Sequence, residues 1–130
     1  MNAAPTSTEV ESKPKFMLFL RHPHGEDLPP TPQELEVIMG RFKIWMDDME
    51  ARGHVIGTNG LDTNAGRVLR GTMVMDGPLI EAKEIVGGYV MLTAENLDQA
   101  AILAGACPGL EYGMTLEVRP VVACCGAASD

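Results

Sequence analysis

Asp76, Lys83, Glu84, Glu117 and Arg119 are the side chains whose types and spacing could do chemistry, with His22 as a sixth. Asp76 opens the tripeptide Asp76-Gly77-Pro78. There Asp can bond nearby backbone N–H groups, Gly tolerates unusual dihedrals and Pro fixes φ. Such a carboxylate is either the cap of a shaped turn or a general base or polar ligand group at a cleft mouth. Lys83 and Glu84 follow Glu81 in an alternating run of charge. The run is either a solvated surface or a place where Lys83 pairs with Asp76 or Glu84, or receives an anion. Glu117 and Arg119 alternate with Leu116 and Val118 on a terminal strand, so both charges share one face. A charge turned towards an interface must find a partner. Arg119 either forms a salt bridge across a dimer, with Glu117 of the partner subunit or with Asp76, or holds a substrate carboxylate in a fork of hydrogen bonds. His22-Pro23-His24 could do acid–base work. It could also share a metal with Glu26 or Asp27, but a Pro between the two His and no clear third ligand leave no metal assigned. The sequence has no dinucleotide fingerprint, P-loop, HExxH or nucleophile elbow, so no cofactor is expected.

The elements that must position these residues follow from periodicity. Lys15–Arg21 (KFMLFLR) reads as a strand, and residues 22–30 as a Pro- and Gly-rich loop. Thr31, Pro32 and Glu34 make a capping box ahead of a helix of about 21 residues. Its stripe is Leu35, Ile38, Met39, Phe42, Trp45, Met46 and Met49, read as core, and Gly53 stops it. His54–Gly57 begins a second strand and residues 58–66 read as loop. Arg67–Leu69 and Thr72–Met75 are short strands around a turn at Arg70–Gly71, and Asp76–Pro78 is a turn. Gly87 and Gly88 allow a tight turn or a close approach before a strand over Gly87–Ala94. Asn96 and Gln99 cap a second helix whose small face is Leu97, Ala100, Ala101, Leu103 and Ala104. Cys107–Gly113 is a loop, and Met114–Val122 is the last strand.

The chain of 130 residues is sized for one domain. Residues 1–14 read as a flexible arm, 15–122 as the domain and 123–130 as a tail. Two helices among four main strands give an α+β, ferredoxin-like split βαβ subunit with an antiparallel sheet. Both faces of that sheet are apolar: Phe16, Leu18 and Leu20 alternate with Met17 and Phe19, and Val90 and Leu92 with Tyr89 and Met91. Two helices cover one face only, so a second copy is expected to cover the other, as an isologous homodimer. Eighteen acids against ten bases give a charge of −8, which repels nucleic acid and anionic membrane alike. No apolar run reaches the ~20 residues of a membrane span, and the start lacks the apolar stretch of a signal peptide. Three cysteines (Cys107, Cys124, Cys125), two of them adjacent, make a poor disulfide framework. A cytoplasmic location is expected.

The segment DGPLIEAKEIVGGY, residues 76–89, resembles the DGPF-type signature of the YCII-related family, with Leu79 where the signature has Phe. The ending CPGLEYGMTLEVRP, residues 107–120, is similar to that family's C-terminal pattern, and the match spans residues 15–122. The resemblance implies the dimeric α/β barrel, two ferredoxin-like subunits packed sheet to sheet. It also implies a His–Asp pair with the His near the start of the first helix. Residues 31–53 contain no His, so only Asp76 is carried over, with His22 and His24 before the helix as the nearest candidates. DGPF-type members are further linked with sigma factors. Two functions are therefore expected of the chain. One is a cofactor-free acid–base enzyme acting on a small, anionic or carbonyl-bearing molecule, with Asp76 as base and Lys83, Glu84, Glu117 and Arg119 around the substrate. The other is a non-catalytic ligand-binding or regulatory protein tied to sigma-factor-dependent transcription.

Overall fold

A computed structural model describes residues 13–23, 30–81 and 83–123. Among the described residues seven strands and two α-helices follow one another as β1 (Lys15–Pro23), α1 (Pro32–Ala51), β2 (Val55–Gly60), β3 (Gly66–Arg70), β4 (Met73–Gly77), β5 (Ile80–Glu81), β6 (Glu84–Thr93), α2 (Leu97–Gly105) and β7 (Thr115–Pro120). A 3-10 helix, Pro108–Tyr112, precedes β7. The main sheet runs β2-β6-β1-β7, antiparallel at every step, with the short β5 also paired to β6. That order, with a helix after the first and third main strands, fits the split βαβ arrangement read from the sequence. Strands β3 and β4 form a separate two-stranded sheet.

Local chemistry sets the helix ends. Thr31 accepts from the Glu34 backbone N–H at 3.1 Å, and Glu34 accepts from the Thr31 N–H at 2.8 Å, completing the box. Gly53, at φ 81°, turns the chain out of α1. Asn96 caps α2 by accepting from the Gln99 N–H at 2.8 Å. Gln99 closes on the N–H of Glu95 instead of its own cap.

Both helices pack on one face of the sheet. Phe16, Leu18, Val90 and Leu92 meet Trp45 and Met49 of α1 and Ala100, Leu103 and Ala104 of α2 in a buried cluster. Trp45 donates its indole N–H to the Leu103 carbonyl at 3.1 Å and so ties the two helices. Arg41 bridges α1 to the 3-10 helix, bonding Glu111 at 2.6 Å and the Tyr112 hydroxyl at 2.8 Å. The expected stripe of α1 reaches the core only from its middle onward. Leu35 and Met39 stay exposed, Ile38 and Phe42 are half-buried, and Trp45 and Met49 are buried. Leu97 and Ala101 of α2 are likewise exposed.

Several boundaries differ from the sequence reading: β1 runs on through His22 and Pro23, and β6 begins at Glu84, because those residues pair with each other across the ladder. Thr58–Gly60 continues β2, since their partners Val90, Tyr89 and Gly88 extend the ladder. Asp76 and Gly77 end a strand, because Arg67 and Gly66 pair with them. The segment 107–113 contains the 3-10 turn. Cys107 is buried, and burial pushes its thiol pKa up. The expected arm and tail lie largely outside the described residues, as do Cys124 and Cys125.

Candidate functional site

Strand alternation places Met17, Phe19 and Arg21 of β1 on the sheet face away from the helices. Their partners share that face: Tyr89 and Met91 on β6, and Glu117 and Arg119 on β7. Leu116 and Val118 point the other way, into the core, as the alternation requires. The four large apolar side chains of this outer face are half-buried, shielding one another across the strands. Tyr89 is steadied at its hydroxyl, which accepts from the Asn59 amide at 3.1 Å.

Charge gathers at one side of this face. The Arg21 guanidinium donates to Glu117 at 2.9 Å, and Arg119 lies 3.8 Å from the other oxygen of the same carboxylate. Glu117 therefore stands between two arginines. The Arg21 side chain is 26% exposed, against 66% for Arg119, so Arg21 is the sheltered member. The regular β1–β7 register sets Arg21 opposite Thr115, and a bulge at Gly87 in the β1–β6 ladder sets it opposite Val86. Thr115 donates its hydroxyl to Glu84 at 2.7 Å, which fixes that carboxylate on the end of β6.

Beside Arg21 lies a cleft of about 670 Å³. Its floor is Arg21 and Val86. Its far wall is the β3 strand, Gly66 to Leu69, and its rim carries Asp62, Pro78, Leu79 and Glu81. Asp76-Gly77-Pro78 shapes this wall. A side chain on Gly77 would press on Val68 and on the backbone of Gly66 and Arg67 at 3.1–3.3 Å, so the hairpin would have to give by a few tenths of an ångström to admit one. The Gly77–Pro78 peptide is cis.

The residues expected to form a site thus separate. Glu117 and Arg119 come together with Arg21. Glu84 binds Thr115 on the same face. Asp76 sits across the hairpin from Arg67, 3.7 Å from its guanidinium, and its side chain is 98% exposed. Lys83 is in the tight turn between β5 and β6 at φ +60°. His22 pairs with Ile85 and turns to the helix side of the sheet, opposite to Arg21, where it lies against Gly87. Burial pushes its imidazole pKa down from 6.5, which favours the neutral ring. His24, Glu26 and Asp27 lie outside the described residues. Among the described residues no group of three or more His, Cys, Asp or Glu could hold a metal, and no helix is long and apolar enough to cross a membrane. Arg67 and Asp62 were not singled out from the sequence, nor Arg21 as a site residue. Arg21 had a legible signal, a charge in phase with the apolar positions 17 and 19.

Together these features define an α+β subunit with helices on one sheet face and a cleft bearing arginines and carboxylates at the end of the other. Its sequence matches the model of the YCII-related domain over residues 16–123. The chain belongs to the YCII-related family. A search of curated proteins found no match.

Proposed function

We propose that the chain is a homodimeric binder of a small carboxylate, held in the cleft between β3 and the outer face of the sheet. The observation that carries this reading is Arg21, sheltered at the cleft floor and braced from behind by Glu117 at 2.9 Å. A brace of that kind fixes one edge of the planar guanidinium and leaves its other donors to meet a carboxylate in fork geometry. The volume lies within the range of small-molecule sites, and Val86, Val68, Leu79 and Pro78 supply apolar walls. Arg67 is a second cation at the wall, and Asp62 and Glu81 are the carboxylates on the rim. Acid–base chemistry on the bound molecule would fall to Asp62 or Glu81, which line the cleft, and not to Asp76, which does not.

The dimer reading rests on the outer face. Met17, Phe19, Tyr89 and Met91 form an apolar band that one chain leaves half-covered. Completing the burial of four large side chains by a second sheet would contribute on the order of several kcal/mol. The test of the ligand reading is a thermal-shift and calorimetric screen of short mono- and dicarboxylates, acetate to glutarate, on wild type and on Arg21→Lys. At least one carboxylate is expected to raise the melting temperature. Arg21→Lys is expected to weaken it roughly tenfold or more, because lysine cannot offer the fork. A screen with no responder, or equal affinity in the variant, contradicts the proposal.

A further inference from the structure

The cleft beside Arg21 is lined by two cations and two carboxylates, Arg21 and Arg67 against Asp62 and Glu81. The four are not equally committed. Arg21 already donates to Glu117 at 2.9 Å, and Arg119 lies 3.8 Å from that same carboxylate. Arg67 donates to the Gly66 carbonyl at 2.8 Å and stands 3.7 Å from Asp76. Asp62 and Glu81, by contrast, form no ion pair with another described residue. Asp62 is held in place all the same. Its Oδ1 accepts the Asn64 backbone N–H at 2.7 Å, an Asx turn that sets the carboxylate on the rim. With these partners counted, three arginines meet four carboxylates, a net −1. A plain carboxylate deepens that charge, and a dicarboxylate does so twice over. A molecule that brings an ammonium along with its carboxylate leaves the balance as it was and gives Asp62 and Glu81 the cation they lack.

We infer that the cleft takes an amino acid, its carboxylate on Arg21, its ammonium on Asp62 and Glu81, and its hydrocarbon part along Val68, Leu79 and Val86. The inference rests on the carboxylate reading and narrows it to zwitterions. A second copy of the chain has no part in it, since all of these residues line the cleft of one chain. The two kinds of charge come from different elements: Arg21 from β1, Asp62 from the segment after β2, and Glu81 from β5. A ligand with only one of its two charged groups leaves one set of partners to water, and that difference is the source of specificity.

The experiment is titration calorimetry on the full chain with three pairs of probes that differ only by an amino group: L-leucine and 4-methylpentanoate, L-phenylalanine and 3-phenylpropanoate, 6-aminohexanoate and hexanoate. In at least one pair the amino acid is expected to bind roughly fivefold tighter or more, a preference that shrinks as salt is added. Asp62→Asn/Glu81→Gln is expected to bring that ratio near one. Plain carboxylates that bind as well as the amino acids in every pair overturn the inference and leave the carboxylate reading standing. A preference that survives in the double variant does the same. No binding by any amino acid or carboxylate overturns both, and so does 3-methylbutylamine, leucine without its carboxylate, if it binds as tightly as L-leucine. Should the double variant fail to fold, as a circular-dichroism melt would show, Glu81→Gln decides alone, and an unchanged ratio is the contrary result.

Discussion

Arg21 shows how much one residue's setting matters. Strand β1 is apolar on both faces up to Leu20. Unbroken alternation along β1 then puts a guanidinium in line after Met17 and Phe19, while the adjoining bulge takes its extra residue, Gly87, from β6. The neighbouring residue, His22, goes to the opposite face and into half-burial, where its ring prefers to be neutral. A lowered folded-state pKa means that protonation favours the unfolded chain. The stability tied to His22 is thus fully present above 6.5 and is lost as pH falls below it. Glu111, held low first by its hydrogen bond from Arg41, adds its own loss only below 4.5, so the two windows separate. Urea midpoints measured from about pH 7 to about pH 5 should fall in wild type and flatten in His22→Gln. Gly87→Ala should flatten them as well, because the new methyl would overlap the His22 ring and drive it out. A wild-type midpoint constant across that range contradicts the assignment.

At the scale of elements, the turn between β5 and β6 carries a cost the sequence does not advertise. Lys83 adopts φ +60°, a region in which a side chain costs about 1–2 kcal/mol relative to glycine. Lys83→Gly should therefore keep or raise the melting temperature, by up to about 1 kcal/mol in stability, while Lys83→Val should lower it. Equal loss in both would show that the Lys83 side chain, and not its backbone, governs the turn. The sequence made the helix ends legible because capping is chemistry among neighbours: Thr31, Pro32, Glu34 and Gly53 each act within one turn of where they stand. Thr58–Gly60 was not legible. Thr-Asn-Gly has the composition of a turn, and only the pairing of those residues to Val90, Tyr89 and Gly88 makes a strand of it. Asp76-Gly77 misleads in the same way, since Gly66 and Arg67, ten residues earlier, claim it for a hairpin. Leu35 and Met39 keep the helical period but outrun the core. Periodicity reports a face, and how far along that face the core reaches is a tertiary fact.

At the scale of the whole molecule, the two faces of the sheet have different fates. The helix face closes on a cluster in which Leu18, Met49, Val90 and Leu92 are fully buried. The outer face holds Met17, Phe19, Tyr89 and Met91 at half-burial, the Arg21–Glu117–Arg119 row at one side and the cleft at one end. The apolar alternation on both faces could be read from the sequence. The cleft could not, because its floor and far wall come from residues 21 and 66–69, brought together only by the fold. If the outer face is the working face, a second copy must complete it. Static light scattering on the full chain at micromolar concentration tests this most directly. Wild type should show twice the 14.0 kDa chain mass, and Phe19→Lys, which puts a charge in the middle of the apolar band, should show the mass of one chain. A single-chain mass for wild type, or a Phe19→Lys protein that still pairs as tightly, would contradict the account.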